Sequence, residues 1–382
     1  MLWLFPCFCI SFMNKFSHLS LQVQTRSSIL KSMHKKSHLL MTGDVQKDLI
    51  IGLNKYSHDV SCCILSKEGE PLYIGEKERL SRRKHDGGDA ASLVEHALES
   101  IGASLDHIAV SVVNNHHFPA LPFEAHLPWA VQMGHYPDTY LSPYNLLPAT
   151  PTKHEISHHL AHAWSAVTQC PFEEGIIVVM DGMGESYKAM VQGLQRKDYT
   201  SDLSILQDEQ AAVIQVPENL APHEGWREAE TVYTFGPNDL RPTPFFKRWT
   251  QERTPSELEN HGFENMESMG AVYSRVSSHI FGDWNACGKV MGLAPWKNVW
   301  GPSSNDILAG ERLFSGDLFA NDANDQDPFK INWELLHSLP KPNELWDKEN
   351  LPFYGQLAHR VQKDLEETAM DFLRKIQEKT GA

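Results

Sequence analysis

The chain has 382 residues, which is enough for one large domain or two medium ones. Its 34 basic and 49 acidic residues give a net charge of −15. This balance argues against nucleic acid as the main partner, because phosphate binding needs a dense basic surface. The apolar stretches are too short to span a bilayer, and the cysteines form no C-x-x-C pair. We therefore predict a cytoplasmic protein without a membrane partner.

Residues 1–47 differ from the rest and are predicted to be a disordered or targeting-like extension. The first 43 residues hold five basic residues, no acidic residue and many serines. Targeting to an organelle is one interpretation of this segment, and a non-native extension before Met33 or Met41 is the other. The ordered domain is expected to cover residues 48–382.

Strands and helices are predicted to alternate in the first half of this domain, which indicates an α/β sheet. Apolar runs and alternating patterns predict strands at 49–53, 60–65, 71–75, 107–113, 175–180 and 187–193. Residues 54–59 are the turn of the first hairpin, and 90–101 form a helix. The proline-rich stretch 118–151 is predicted to be a specificity loop.

The second half gives fewer signals. Residues 195–260 are polar and punctuated by prolines, so they are predicted to be loops, with Phe245, Phe246 and Trp249 used in packing. A helix is predicted at 268–281. An amphipathic helix is predicted near the end of the chain, with an apolar face formed by Leu357, Val361, Leu365, Phe372 and Ile376.

Four histidines lie within nine residues, in the run His154-Glu-Ile-Ser-His158-His159-Leu-Ala-His162. His154 to His158 matches the H-E-x-x-H signature of zinc proteases, in which Glu155 would be the base. His158 to His162 matches H-x-x-x-H. On a helix, either pair would share a face with Cβ atoms about 5–6 Å apart, close enough to bind one metal ion.

The start of the helix decides between the two pairs. Thr152 followed by Glu155 could form a capping box, which would favour the first pair. A strand that closes at 156–157, followed by a helix at 158–166, would favour the second pair. We favour the second pair, because the sequence shows no third zinc ligand in protease spacing.

The strand at 175–180 ends in Asp181-Gly182-Met183-Gly184-Glu185. Backbone N–H groups in such a turn can form a nest for phosphate, and the carboxylate can bind a cation. Asp-Gly is also a common hairpin turn, so this motif alone is weak evidence for a binding site. Together with the four histidines, it indicates one.

Three other segments offer substrate contacts. His58-Asp59-Val60-Ser61 lies in the first hairpin turn, where the alternative is ordinary turn chemistry. Arg82 and Lys84 lie in a basic run that is either a solvated face or a source of positive charge for an anionic donor. Lys289 lies between Gly288 and Gly292 in a predicted loop that is not a Walker A motif.

These segments together resemble the carbamoyltransferase family that includes nodulation protein U and the antibiotic O-carbamoyltransferases. Five motifs occur in the order found in that family. They are His58-Asp-Val-Ser61, Glu76-Lys-Glu-Arg-Leu-Ser-Arg-Arg-Lys-His85, His158-His-Leu-Ala-His-Ala163, Asp181-Gly-Met-Gly-Glu185 and Gly288-Lys-Val-Met-Gly-Leu-Ala-Pro295.

The resemblance implies an α/β actin/Hsp70-like ATPase fold (ribonuclease-H-like), with a complete first half and a second half that lacks its C-terminal part. It implies transfer of a carbamoyl group to an acceptor hydroxyl or amine of a small molecule. The donor would be carbamoyl-adenylate, formed from carbamoyl phosphate and ATP. By motif position, His158, His162 and Asp181 would bind a divalent metal, iron or alternatively zinc.

The resemblance also implies roles for other residues. His58, with Asp59, would orient the carbamoyl group or assist proton transfer. Contacts with substrate or nucleotide would come from Arg82, Lys84, Gly182, Gly184, Glu185 and Lys289.

The chain ends at Ala382, where the family continues into a further metal-binding aspartate and an adenylating domain. We therefore expect a separate C-terminal half or adenylating domain as a partner. Two alternatives stay open. One is a catalytically incomplete metal- or nucleotide-binding fragment that acts as an interaction protein. The other is a zinc metallopeptidase that uses His154, Glu155 and His158.

Overall fold

The computed structural model describes residues 48–381, except 116, 148–151, 206–212, 215–224, 238, 252–261, 298, 300–307, 309, 321–326 and 340–350. The extension predicted at 1–47 lies outside the described residues. Those described divide into two compact units. We call residues 48–158 and 192–201 the N-unit, and residues 159–191 and 202–381 the C-unit.

The elements are numbered along the chain. The strands are β1 (Leu49–Asn54), β2 (Ser61–Leu65), β3 (Pro71–Glu76), β4 (Ile108–Asn114), β5 (Thr152–Ile156), β6 (Gly175–Met180), β7 (Tyr199–Thr200), β8 (Val213–Ile214), β9 (Trp226–Gly236), β10 (Asp239–Gln251), β11 (Phe314–Ser315) and β12 (Lys330–Ile331). The helices are α1 (Lys77–Ser81), α2 (Ala91–Ser100), α3 (Ala120–Gln132), α4 (Pro143–Leu146), α5 (His158–Val167), α6 (Tyr187–Gly193), α7 (Asp202–Ile205), α8 (Met269–Phe281), α9 (Cys287–Leu293), α10 (Trp333–Ser338) and α11 (Leu351–Thr380). None of the helices described is long and apolar enough to cross a membrane.

The N-unit is built on a six-stranded sheet in the order β3-β2-β1-β4-β5-β7. β1, β2 and β3 form an antiparallel meander, and β4, β5 and β7 continue from β1 in parallel. The apolar face of α2 packs on this sheet through Leu93, Val94, Ala97 and Leu98. The predicted strands β1 to β4 and the predicted helix α2 are therefore confirmed within one or two residues at their ends.

The C-unit is built on a four-stranded sheet in the order β6-β9-β10-β8. Its core combines apolar residues of β6 and β9 with those of α8 and α11. All five residues of the predicted apolar face of α11 are buried, and the long helix packs on α8 and α9. Phe246 and Trp249 are buried too, as predicted for packing residues.

Three sequence predictions are wrong. The stretch 118–151 contains α3 rather than only loop, because the Glu155 carboxylate accepts the N–H groups of Ala120 and Leu121 and so caps the helix from a distant strand. Residues 187–193 form a helix and not a strand, since Ser186 Oγ accepts the Ala189 N–H at 3.1 Å. The loop predicted around Lys289 is the helix α9.

The fourth difference is the hairpin of β9 and β10, which lies inside the stretch 195–260 predicted to be loops. Its strands carry buried charges, with Glu228, Glu230 and Lys247 all inaccessible to solvent. Because these charged residues occupy core positions, the strands lack the apolar pattern from which a strand is normally predicted.

Candidate metal centre

The helix α5 presents two histidines one turn apart. β5 ends at Ile156, whose carbonyl accepts a hydrogen bond of 2.9 Å from Asn114 Nδ2. The helix begins at His158, so the start favoured in the sequence analysis is confirmed. His158 and His162 are therefore four residues apart on one helix. The Nδ1 atom of His158 lies 3.3 Å from Asn114 Oδ1, which orients the ring.

Asp181 follows the last residue of β6 and faces His162. The distance from His162 Nε2 to Asp181 Oδ2 is 3.8 Å, and these side chains are 20% and 21% exposed. One ligand atom each from His158, His162 and Asp181 lies within 4.8 Å of the other two. We call these three residues the helix cluster.

The donor set of the helix cluster suits a divalent transition metal. Two imidazoles and one carboxylate are typical ligands of iron, zinc and related ions, whereas calcium and magnesium favour oxygen ligands alone. Three protein ligands also leave coordination positions for a substrate or water. The contact of His158 Nδ1 with Asn114 would leave Nε2 as the ligand atom, an arrangement common around metal-binding histidines.

The metallopeptidase alternative fails on geometry. His154 and Glu155 lie on β5 and His158 on α5, so the H-E-x-x-H residues do not share a helix. Glu155 is buried and is 2.8 Å from Arg196 Nη2. It also caps α3, so its carboxylate has a structural role instead of that of a base.

The loop after Asp181 is held in place by hydrogen bonds to Asp181 and Glu228. Gly182 donates its N–H to Asp181 Oδ1 at 2.6 Å, Gly184 to the Glu228 carbonyl at 3.0 Å, and Glu185 to Glu228 Oε2 at 2.9 Å. These three amides have acceptors within the protein, and the predicted contacts of Gly182, Gly184 and Glu185 with phosphate stay predictions. The carboxyl group of Glu185 is itself buried.

Two glycines allow this loop to approach its neighbours closely. A Cβ at Gly184 would lie 2.6 Å from both Glu228 Cβ and His159 Nε2. A Cβ at Gly270, in the first turn of α8, would overlap the carbonyl of Asp181. The end of β6 is therefore packed against β9 on one side and α8 on the other.

A buried charged network under this loop was not predicted from the sequence. Lys247 Nζ contacts Asp202 at 2.5 Å and also donates to Glu228 and, at 3.0 Å, to Thr231 Oγ1. Thr231 Oγ1 lies 2.7 Å from Nδ1 of His159, the buried histidine of α5. Since Glu228 binds the backbone of Gly184 and Glu185, the network supports the loop that carries Asp181.

The protonation of this network follows from burial and pairing. Burial lowers the pKa of Lys247, but the carboxylates of Asp202 and Glu228 outweigh that effect and hold its pKa above the ordinary value. Burial raises the pKa of Asp202, and Lys247 only partly opposes the rise. Lys247 is therefore the fixed positive charge around which the two acids are arranged.

The other predicted contact residues have varied surroundings. His58 and Asp59 lie between β1 and β2, with His58 Nδ1 2.7 Å from Asp59 Oδ2. Arg82 ends α1 in a left-handed conformation, and the exposed Lys84 pairs with Glu78 at 3.1 Å. Lys289 Nζ lies 5.6 Å from the ring of Phe281, the last residue of α8. Gly182 lies near Gly270, at the first turn of the same helix. Their contacts with substrate stay predictions.

Comparison with known proteins gives a partial similarity. A search of protein-family models finds no match. The chain is 29% identical over 148 residues to Nodulation protein NolNO of Sinorhizobium fredii (strain NBRC 101917 / NGR234). This region covers 35% of the chain and 20% of the relative, so the chain spans about a fifth of the length of that protein. The similarity therefore bears on part of the chain only.

Proposed function

We propose that the chain is the acceptor-side part of a carbamoyltransferase. Its acceptor would be the hydroxyl or amine of a small molecule, and its donor would be carbamoyl-adenylate, made by a separate adenylating domain from carbamoyl phosphate and ATP. The five family motifs and the similarity to Nodulation protein NolNO support carbamoyltransferase activity in general. An actin-like fold is part of the same proposal.

One observation carries the proposal: three residues from two of the motifs, His158, His162 and Asp181, converge within 4.8 Å. These residues would hold a divalent metal. A metal there supplies electrostatic stabilisation for charge that develops on carbamoyl and phosphate oxygens.

The transfer of the carbamoyl group would need few protein side chains. The acceptor oxygen or nitrogen forms a bond to the carbamoyl carbon and loses its proton, while the bond from that carbon to the adenylate oxygen breaks and adenylate leaves. His58, held by Asp59, would orient the carbamoyl group or accept the proton. Arg82 and Lys84 would add positive charge that attracts an anionic donor.

Metal analysis of purified variants is the first test. We expect His158→Ala and His162→Ala each to weaken metal binding at the helix cluster by at least ~100-fold, since each removes a ligand. His154→Ala is the matched control, because His154 lies on β5 outside the cluster. Folded wild-type chain that binds no divalent ion at this cluster would contradict the proposal.

Transfer of label from carbamoyl phosphate is the second test. The chain would be mixed with ATP, a separately expressed adenylating domain and a panel of small hydroxyl and amine acceptors. We expect label in an acceptor with wild-type chain and with His154→Ala, but not with His162→Ala. Metal binding without any transfer would favour the alternative of a metal-binding fragment that acts as an interaction protein.

A further inference from the structure

A second group of two histidines and one aspartate lies wholly in the N-unit. One ligand atom each from His58, Asp59 and His85 lies within 4.8 Å of the other two. Nδ1 of His58 is 2.7 Å from Asp59 Oδ2, and Nδ1 of His85 is 3.2 Å from Asp59 Oδ1. We call these residues the turn cluster. His85 had no predicted role of its own.

Backbone hydrogen bonds join the two segments that carry the turn cluster. Tyr56 donates its N–H to the Gly88 carbonyl at 2.7 Å, and Gly88 donates to the Ser57 carbonyl at 3.1 Å. Lys77 Nζ adds bonds to the carbonyls of Gly87 at 3.0 Å and Asp89 at 2.9 Å. The loop of His85 is therefore fixed against the turn of His58 without help from the three ligand side chains.

The backbone around the turn cluster is strained. Tyr56 has a φ of 64° and His85 a φ of 56°, in the left-handed region that bulky side chains rarely adopt. Gly87 packs so closely that a Cβ there would overlap the Ser57 carbonyl. Strain of this kind persists only where the surrounding structure enforces it, and it concentrates at functional sites.

We propose that His58, Asp59 and His85 form a second site for a divalent transition-metal cation. Two imidazoles select zinc, iron and similar ions over calcium and magnesium. Ligand atoms around tetrahedral zinc, at bond lengths of about 2.0–2.1 Å, lie roughly 3.3 Å apart. The distances of 2.7 and 3.2 Å from the imidazoles to Asp59 lie near this separation, and all three ligand atoms lie within 4.8 Å of one another.

Access and charge also suit a cation. The side chains of His58, Asp59 and His85 are 23%, 29% and 24% exposed, which leaves a route for an ion and room for further ligands. Glu78 accepts the backbone N–H of His85 at 3.1 Å and holds the ligand loop from behind.

Metal binding at the turn cluster does not depend on the proposed function, but one consequence does. An imidazole whose lone pair holds a cation cannot accept a proton. If the chain is a carbamoyltransferase, His58 would then orient the carbamoyl group through the bound cation and would not act as a base. The acceptor proton would then pass to the departing adenylate phosphate or to solvent water, and not to His58.

Zinc titration of the full, untagged chain tests the inference. Metal is first removed by a chelator. Zinc is then added in the presence of a weak competing chelator, so that isolated surface histidines do not bind measurable zinc. We expect two tight equivalents for wild type, one for His85→Asn, one for His162→Ala and none for the double variant. Asparagine is chosen because it tolerates a positive φ. His96→Asn, which removes an exposed imidazole of the same unit, is the control and should keep two equivalents.

The outcomes separate the two proposals. Two tight equivalents in His85→Asn, or a single wild-type equivalent that only His162→Ala removes, would overturn the turn cluster as a metal site. A single equivalent that His85→Asn removes and His162→Ala keeps would support it and contradict the helix cluster. If His85→Asn fails to fold, Asp59→Asn replaces it with the same expectation, and cobalt absorption of the wild-type chain reports the number of histidine-ligated sites.

Discussion

The helix cluster and the turn cluster have the same composition, two histidines and one aspartate, but they are assembled differently. In the helix cluster, His158 and His162 share one helix and Asp181 directly follows the apolar strand β6. In the turn cluster, His58 and His85 are 27 residues apart and meet only because two irregular segments bind each other through their backbones. The first arrangement follows from helical periodicity, and the second does not.

The supports behind the clusters differ as well. The loop of Asp181 is supported by buried charged side chains, chiefly Glu228 and Lys247. The turn cluster is supported by main-chain hydrogen bonds and by the lack of a side chain at Gly87. Each support can therefore be removed while the other is left intact.

The largest effect is expected from Lys247→Met. This change leaves Asp202 and Glu228 buried without their cation, and we expect a loss of about 3–5 kcal/mol of unfolding free energy. Metal affinity of the helix cluster should fall, because Glu228 would no longer hold Gly184 and Glu185 in place. The turn cluster should be unaffected. Urea unfolding and zinc titration measure the two effects.

Arg241→Met is the matched control for that experiment. Arg241 also pairs with an aspartate, Asp239 at 2.5 Å, but their side chains are 77% and 48% exposed. Solvent screens an exposed pair of this kind, so we expect its loss to leave the unfolding free energy nearly unchanged. Equal losses in Lys247→Met and Arg241→Met would contradict the role given to burial.

Gly87→Ala addresses the other support. A methyl group at this position would overlap the Ser57 carbonyl, so the two segments must separate. We expect a loss of about 2–3 kcal/mol and weaker zinc binding by the turn cluster, with the helix cluster unchanged. Gly52→Ala in β1 is the control, because a Cβ there meets no atom within 4 Å. A stable Gly87→Ala variant that binds two equivalents would show that the segments are not held as described.

Glu155→Gln tests whether Glu155 has a structural role. We expect a cost of about 1–2 kcal/mol at neutral pH, since the caps of α3 and the contact with Arg196 are weakened. Metal content should be unchanged. Loss of a peptidase activity in this variant would instead identify Glu155 as a catalytic base.

Glu155→Gln should also change how the unfolding free energy depends on pH. Burial raises the pKa of Glu155 above its ordinary value of 4.5, although bonds from Ala120 and Arg196 oppose the rise. Between pH 4.5 and the raised pKa of Glu155, the folded state therefore binds more protons than the unfolded state. The stabilising effect of this difference is complete below that pH and is lost as the pH rises through the folded pKa. Glu155→Gln should flatten this part of the profile of unfolding free energy against pH.

The smallest effect is expected from Asn114→Ala, which removes the partner of His158 Nδ1. A change behind a metal ligand typically lowers affinity by about 10–100-fold, and we expect the lower end because the contact is 3.3 Å long. Asn114→Asp keeps an acceptor at this position and should bind metal more tightly than Asn114→Ala. No difference between the two would show that this contact does not orient the ring.

Local patterns predicted a large part of the fold. The apolar strands β1, β4 and β6 and the amphipathic helix α11 could be predicted because their signals lie within the elements themselves. The spacing of His158 and His162 also predicted their shared face, once the helix was taken to begin at His158.

The rest depends on contacts between distant residues. The caps of α3 come from Glu155, 34 and 35 residues further along the chain. The hairpin of β9 and β10 was predicted to be loop because it contains charged residues such as Glu228 and Lys247. These two residues are buried and form an ion pair with each other inside the fold. His85 reaches the turn cluster because its backbone is left-handed, with a φ of 56°. The sequence gives no sign of this conformation, since histidine has no preference for it as glycine does.

The strand β7 has a consequence for synthesis of the protein. It returns to the N-unit sheet after the chain has passed through residues 159–191, and there the N–H groups of Glu155 and Ser157 bond to the carbonyls of Asp198 and Thr200. A nascent chain that has emerged only to residue 191 would expose the β5 edge and would leave Glu155 without Arg196. Such an edge can pair with other chains. Translation would therefore pass through an aggregation-prone interval that closes only when residue 200 leaves the ribosome.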